Sequence, residues 1–389
     1  MSKKRVDSRV PRGSKKPRSA AGQPAHADAP APSPAPSESP EAWFHRRATY
    51  YVEAQVLFHL NQVGIFSALE SGGSFTAAQL AAGLDLDEHL VDVLLDYVFE
   101  VDQVLSRDAS GRYALSAFGK QVVQRFSSSE PQLPARINFF DVRVGGYGPV
   151  WANLGRMLQG TARYGQDFQR DGRYAEAGVR KLSTRFWPAL QHELTTLPIG
   201  QVLEIGLTTG LLERVGVEQP RLGLYGVDRS SAALAQARAR AVGMGVERIQ
   251  WLQGSLFDLE TWSLPIHTDP PGLIFSLHFH EFLAAGEAQV VAWLRELRHR
   301  FPGWYVLALE QPRLPHADRE SLPDHQWLYA QSNVLIHHLI GNGRILSREQ
   351  WIDLGQRAGC KLVRDRACDY LGYRAFVFQL GQREQHDQG

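Results

Sequence analysis

Cysteine is scarce in this chain: Cys360 and Cys368 are the only two in 389 residues. With no histidine cluster beside them, two thiols exclude a disulfide framework and a cysteine-based zinc site, and both read as packing residues. Charge of one sign is lacking too. The 42 Lys and Arg nearly cancel the 41 Asp and Glu, leaving a formal net charge of +1. That balance excludes broad electrostatic attraction to nucleic acid or to an anionic membrane. No apolar run approaches the ~18 residues a spanning helix needs. No apolar stretch of the signal-peptide kind follows the basic N-terminus. The expected compartment is a reducing cytoplasm, with neither nucleic acid nor membrane as partner.

What is present is length and organisation. A chain of 389 residues exceeds one ordinary core, so two folded domains are expected. Residues 1–40 are rich in Lys, Arg, Pro, Ala and Ser and are expected to be a disordered tail, as are residues 384–389. Over residues 41–130 the pattern is helix, helix, helix, hairpin. Val52, Val56, Leu60, Val63 and Phe66 recur at near-helical spacing. Thr76 reads as a helix N-cap, and Asp85 or Asp87 as the next. Two short apolar runs then flank a turn at Gly111. This is a winged-helix pattern, which often binds DNA. Its candidate recognition helix, Glu88–Gln103, carries Asp92, Asp96, Glu100 and Asp102 but no Lys or Arg. DNA affinity rests mostly on phosphate contacts from basic side chains, so a DNA-binding regulator is disfavoured. Residues 131–195 read as a helical connector. There Asn138, Arg143 and Tyr147 lie in an aromatic stretch, and Arg143 could pair with a ligand carboxylate or form an interdomain salt bridge.

The most informative stretch lies in the last domain, residues 196–383. QVLEIGLTTG at Gln201–Gly210 and YGVD at Tyr225–Asp228 read as strand, turn, helix, strand. Asp228, at the second strand tip, can accept hydrogen bonds from two ribose hydroxyls. Only Gly206 and Gly210 are glycines in the turn, so the G-x-G-x-x-G pyrophosphate pattern is absent. A ligand with a ribose and no phosphate fits better, and S-adenosylmethionine (SAM) is such a ligand. Glu204 is expected beside the amino group of its methionine part.

At these residues the chain resembles the class I SAM-dependent methyltransferases, whose first motif reads roughly E-x-G-x-G-x-G. Thr208 stands where the second glycine is usual. Across Trp43 to about Leu380 it resembles the small-molecule O-methyltransferases, in which a winged-helix dimerisation domain precedes a Rossmann-like catalytic domain. The resemblance implies a mostly parallel seven-stranded sheet with antiparallel C-terminal strands, and a homodimer formed through the N-terminal domain. It implies no metal. It places Gly206, Thr208, Gly210, Asp228, Ser255, Leu256, Phe257 and Ser276 around SAM, Ser255 replacing the family's adenine-binding Asp. His280 falls where the family has its general base, and Glu310 where a carboxylate orients that base. Ile345 occupies the place of a second supporting Glu. Residues 131–195, with Asn138, Arg143 and Tyr147, would line the substrate chamber.

Two chemistries are therefore open. One is methyl transfer to a hydroxyl. The other, as in the similar azetidine-2-carboxylate synthases, is cyclisation of SAM by its own amine, releasing methylthioadenosine. His278, two residues before His280, would face the same side if its strand continued that far.

Overall fold

The computed structural model describes residues 38–126, 139–255, 257–262 and 269–381. Asn138 and Leu256 lie outside them. The chain divides into two compact units, Met1–Tyr51 and Val52–Gly389. Helix α1, Pro40–Gln62, starts in the first, where Arg46 pairs with Glu38.

In the second unit, α2 (Ile65–Glu70), α3 (Ala77–Leu84), α4 (Glu88–Val101), the strands β1 (Leu105–Arg107) and β2 (Tyr113–Leu115), and α5 (Ala117–Phe126) follow in order. Local chemistry sets their starts. Thr76 and Gln79 cap α3 reciprocally, and the Asp87 carboxylate accepts from the Leu90 N–H to start α4. Asp85 instead ends α3 in the left-handed conformation, with φ of 55°. Val91, Leu95 and Val98 recur every three to four residues and bury one face of α4 against Leu69, Leu80 and Leu115.

A three-residue helix, α6 (Phe139–Asp141), runs into a widened π-type turn at Val142–Gly146, then α7 (Gly148–Leu158) and the long α8 (Gly172–Thr196). Next come β3 (Gln201–Ile205), α9 (Leu211–Glu218), β4 (Gly223–Asp228), α10 (Ser231–Gly243), β5 (Gln250–Gln253) and β6 (Gly272–Ser276). The chain closes with α11 (Phe279–Phe282), α12 (Glu287–Arg300), β7 (Tyr305–Glu310), α13 (Asp324–Ile340), α14 (Arg348–Arg357), β8 (Lys361–Ala367) and β9 (Arg374–Gln379).

Seven strands form one sheet in the order β5-β4-β3-β6-β7-β9-β8. The first five are mutually parallel, and β9 runs antiparallel to both β7 and β8. This is the sheet expected from the sequence. β3, β6 and β7 are buried along their whole length, which is why they read as nearly unbroken apolar runs. Separate apolar cores cover the two faces, one containing Leu203, Val227 and Trp304, the other Val202, Leu224 and Phe275. After β3 the chain winds out to β4 and β5, then returns to place β6 on the other side of β3. The crevice beyond the tips of β3 and β6 is thus a topological switch point, where open α/β sheets take their ligands.

Candidate active site

The turn after β3 is built from two glycines in left-handed conformation, Gly206 with φ of 82° and Gly210 with φ of 77°. Asp228 ties it to the tip of β4. One carboxylate oxygen accepts from the Leu207 N–H at 2.9 Å, the other from the Ser230 N–H at 2.8 Å. Each oxygen keeps a further lone pair for a ligand hydroxyl. From the outside, Arg240 donates to the Leu207 carbonyl at 2.7 Å and pairs with Glu213 at 2.9 Å. The Ser183 hydroxyl of α8 donates to the Thr209 carbonyl at 2.7 Å.

Glu204 is corrected by the structure. It is 0% exposed and accepts from the Thr209 hydroxyl and, at 3.2 Å, from the Leu212 N–H. It therefore closes the turn onto α9 and is not presented to a ligand amine. Burial, with the Glu213 carboxylate nearby, pushes its carboxyl up to about 8. An unfolded chain ionises it near 4.5. Between those values the folded state holds a proton the unfolded state has lost, so stability falls as pH rises. Glu204→Gln keeps an acceptor for Leu212 and a donor for the Thr209 hydroxyl. We expect the thermal unfolding midpoint of the native protein to decline by several degrees from about pH 5 to pH 8, and that of Glu204→Gln to decline less. Parallel pH dependence in both proteins would refute a protonated Glu204.

Beside Asp228, the Gly254 N–H donates to the Asp228 carbonyl at 3.1 Å. An open groove of about 540 Å³ begins there, lined by Arg229, Gln253, Gly254, Ser255, Phe257 and Thr261. Ser255 and Phe257 thus stand next to Asp228. Ser276 is fully buried, and its hydroxyl accepts from the His278 N–H at 3.0 Å, so it shapes the tip of β6 from within.

His278 and His280 do not lie on a continuing strand, as the spacing suggested. β6 ends at Ser276, and the short helix α11 carries His280. Glu310, 1% exposed at the end of β7, holds that helix from below. One carboxylate oxygen accepts from the His280 backbone N–H at 3.1 Å, the other from the ring Nδ1–H at 2.8 Å. A carboxylate only accepts, so Nδ1 carries the hydrogen and Nε2 is left as the basic nitrogen. Burial alone would lower the His280 pKa, but the Glu310 charge and hydrogen bond outweigh it and raise it. The opposite carbonyl edge of His280 is fixed by Gly343, with φ of 79°, where a Cβ would come within 1.7 Å of the His280 oxygen. Ile345 is buried, so no carboxylate stands at its position.

Four further residues were not singled out by the sequence. The His337 ring packs 4.4 Å from that of His280, edge to face. Its Nδ1–H donates to the Asn342 carbonyl at 3.1 Å, and burial drives its pKa down to about 3. Asn342 donates to Glu281 at 2.8 Å, and Glu281 faces the His278 Nδ1 at 3.5 Å. The surrounding His278, His280 and Asn342 overcome burial and hold Glu281 down to about 2. Burial lowers the His278 pKa, and its Nε2 lies 3.2 Å from the Thr208 hydroxyl. The unusual Thr208 therefore has a partner at the N-cap of α11. The fourth, Arg170, donates to the Tyr147 hydroxyl at 3.2 Å. His278, His280 and Glu281 each offer a ligand atom, all within 4.8 Å of one another. The Arg170 charge acts on all three.

Arg143 and Tyr147 leave the π-type turn together. The Arg143 guanidinium lies 4.9 Å over the Tyr329 ring and 5.8 Å from that of Tyr147, and donates to Asn333 at 3.3 Å. Tyr329, Asn333 and His337 recur every four residues along α13 and are buried on its inner face. That one face brings Arg143 and His280 into the same neighbourhood.

The same architecture recurs in solved proteins. PigF, solved with SAH, aligns with a TM-score of 0.63 over 88% of this chain and 99% of its own, at 20% identity. Human N-acetylserotonin methyltransferase in complex with SAM aligns with a TM-score of 0.62 over 90% and 100%, at 16% identity. Mitomycin 7-O-methyltransferase MmcR aligns with a TM-score of 0.62 over 88% and 98%, at 17% identity. The fold is that of the class I small-molecule O-methyltransferases. Within this O-methyltransferase fold, a stretch of 66 residues is 44% identical to carboxy-S-adenosyl-L-methionine synthase of Wolinella succinogenes. It covers 16% of this chain and 26% of that protein. No protein-family model matches the chain. Among the described residues, no helix is long and apolar enough to cross a membrane.

Proposed function

We propose that the protein is a SAM-dependent methyltransferase that methylates a hydroxyl group of a small molecule. The observation that carries this reading is the His280–Glu310 pair, 2.8 Å apart and adjoining the Thr208 turn through His278. SAM would lie across the switch-point crevice, its ribose on Asp228 and its adenine in the groove at Ser255 and Phe257. The acceptor hydroxyl would give its proton to His280 Nε2. Its oxygen then forms a bond to the SAM methyl carbon as the carbon–sulfur bond breaks, and that electron pair stays on sulfur as S-adenosylhomocysteine forms. The proton on His280 passes to solvent. Glu310 fixes the tautomer and stabilises the imidazolium.

The reading includes a winged-helix N-terminal domain and a homodimer formed through it, in the cytoplasm, with no metal required. The exposed Trp43, Phe44, Tyr50 and Tyr51 on α1 suit a second copy of the chain. α4 carries no Lys or Arg, which weighs against a SAM-sensing DNA-binding regulator.

The contact between Thr208 and His278 keeps a second reading in view. It puts a neutral imidazole beside the turn that would hold the methionine part. Such a base suits removal of a proton from the SAM ammonium, followed by attack of the amine on its own Cγ. That closes an azetidine ring and expels methylthioadenosine. Incubation of the protein with SAM alone, read by mass spectrometry, separates the two. We expect no turnover until a hydroxylated acceptor is added, and S-adenosylhomocysteine afterwards. Methylthioadenosine accumulating without acceptor would replace methyl transfer by cyclisation.

A further inference from the structure

Arg170 is a partly buried cation with no carboxylate partner at short range among the described residues. Among the described residues its one hydrogen bond goes to the neutral Tyr147 hydroxyl, at 3.2 Å. No carboxylate oxygen of a described residue lies within the 4.0 Å of an ion pair with it. Glu281 acts on it only from beyond that distance, and is itself engaged by Asn342 and His278. Holding a guanidinium partly out of water without a short-range counter-charge carries a cost, and a ligand that supplies the charge offsets it.

The position gives the cation a purpose. The Asp171 N–H bonds to the Gly146 carbonyl at 2.9 Å, which locks Arg170 against the turn bearing Arg143 and Tyr147. Tyr147 thus stands between two guanidinium groups, Arg170 at its hydroxyl and Arg143 5.8 Å from its ring. Val150, Ile336 and Ile340 pack on Tyr147 with Tyr164 and Phe168, so an apolar and aromatic wall adjoins the charge. Along α13, Asn333 beside Arg143 and His337 beside His280 are one turn apart, about 6 Å on the helix axis. The Arg170 charge itself acts on both His278 and His280, so the cation and the two imidazoles share one neighbourhood.

We propose that Arg170 is the recognition residue for a carboxylate-bearing ligand, most simply an aromatic hydroxy acid whose hydroxyl faces His280 while its carboxylate meets Arg170. This rests on the methyltransferase reading for the hydroxyl end alone. A planar guanidinium grips a carboxylate through parallel N–H bonds, which a neutral amide cannot reproduce. The same chemistry is carried by the aminobutyrate end of SAM, so the test separates acceptor from cofactor.

Titration calorimetry would use para-hydroxybenzoate and its isostere para-hydroxybenzamide, on the full chain with and without SAH, together with SAH and methylthioadenosine as ligands themselves. We expect the acid to bind about tenfold or more tighter than the amide. Arg170→Gln should erase that preference and leave SAH affinity intact, whereas Arg170→Lys should keep part of it. If Arg170→Gln instead weakens SAH about tenfold and leaves methylthioadenosine unchanged, the carboxylate is the cofactor's and the recognition role of Arg170 still stands. Equal binding of acid and amide to the native protein, together with unchanged SAH affinity in Arg170→Gln, would overturn the proposal. Failure of SAH to bind the native protein would sink the methyltransferase reading instead, and the titrations without SAH would still decide the anion site.

Discussion

His280→Ala is expected to lower methyl transfer by about two orders of magnitude or more, the range for loss of a general base. SAH affinity should stay within about twofold, because the proposed pose would put His280 at the acceptor and not at the nucleoside groove. The pH profile makes the test sharper. Glu310 raises the His280 pKa, and only the neutral ring can take a proton. Turnover in the native enzyme should therefore climb with pH through a value above the ordinary 6.5. Glu310→Gln removes the charge that raises it, so the ascending limb should move to lower pH while the plateau falls. Full turnover retained in His280→Ala would show that proton removal is done elsewhere. An unmoved limb in Glu310→Gln would show that the limb belongs to another group.

Asp228→Ala should be the most damaging change for the cofactor. The side chain has two tasks here. It holds the Leu207 and Ser230 N–H groups, and so the shape of the turn, and in the proposed pose it would offer its remaining lone pairs to the ribose. Hydrogen bonds to a charged group contribute roughly 1.5–3 kcal/mol each. Losing a ribose pair and loosening the turn should weaken SAH by about a hundredfold or more, measured by calorimetry. Asp228→Asn keeps one acceptor oxygen and should fall between. Affinity unchanged in both variants would place SAM outside the switch-point crevice, and the methyltransferase reading would go with it.

The parts of the site legible in the sequence were those written in short, contiguous stretches. QVLEIG and YGVD announced strands, a glycine turn and a terminal acid, because a buried parallel strand must be apolar throughout and a left-handed turn favours glycine. Thr76 and Asp87 announced helix starts, because the exposed N–H groups of a first turn need an acceptor within three residues. His280 and Glu310 were visible only through their order along the chain. Glu204 was misjudged for a physical reason. The same residue type can face a ligand or fold back onto the Leu212 N–H, and nothing in the sequence distinguishes the two.

The sequence determined the sheet, its glycine turn and the acid at the tip of β4, since each follows from local burial and backbone preferences. The tertiary structure alone decided which distant side chains meet. β3 and β6 are neighbours in register, Glu204 opposite Phe275, although 70 residues separate Thr208 from His278. That pairing sets the turn after one strand beside the loop after the other, and so joins Thr208 to His278. α13 likewise gathers Arg143 and His280 on one buried face, and Arg170 joins them through Tyr147. Such contacts arise from strand order and helix packing, which no window of the sequence contains.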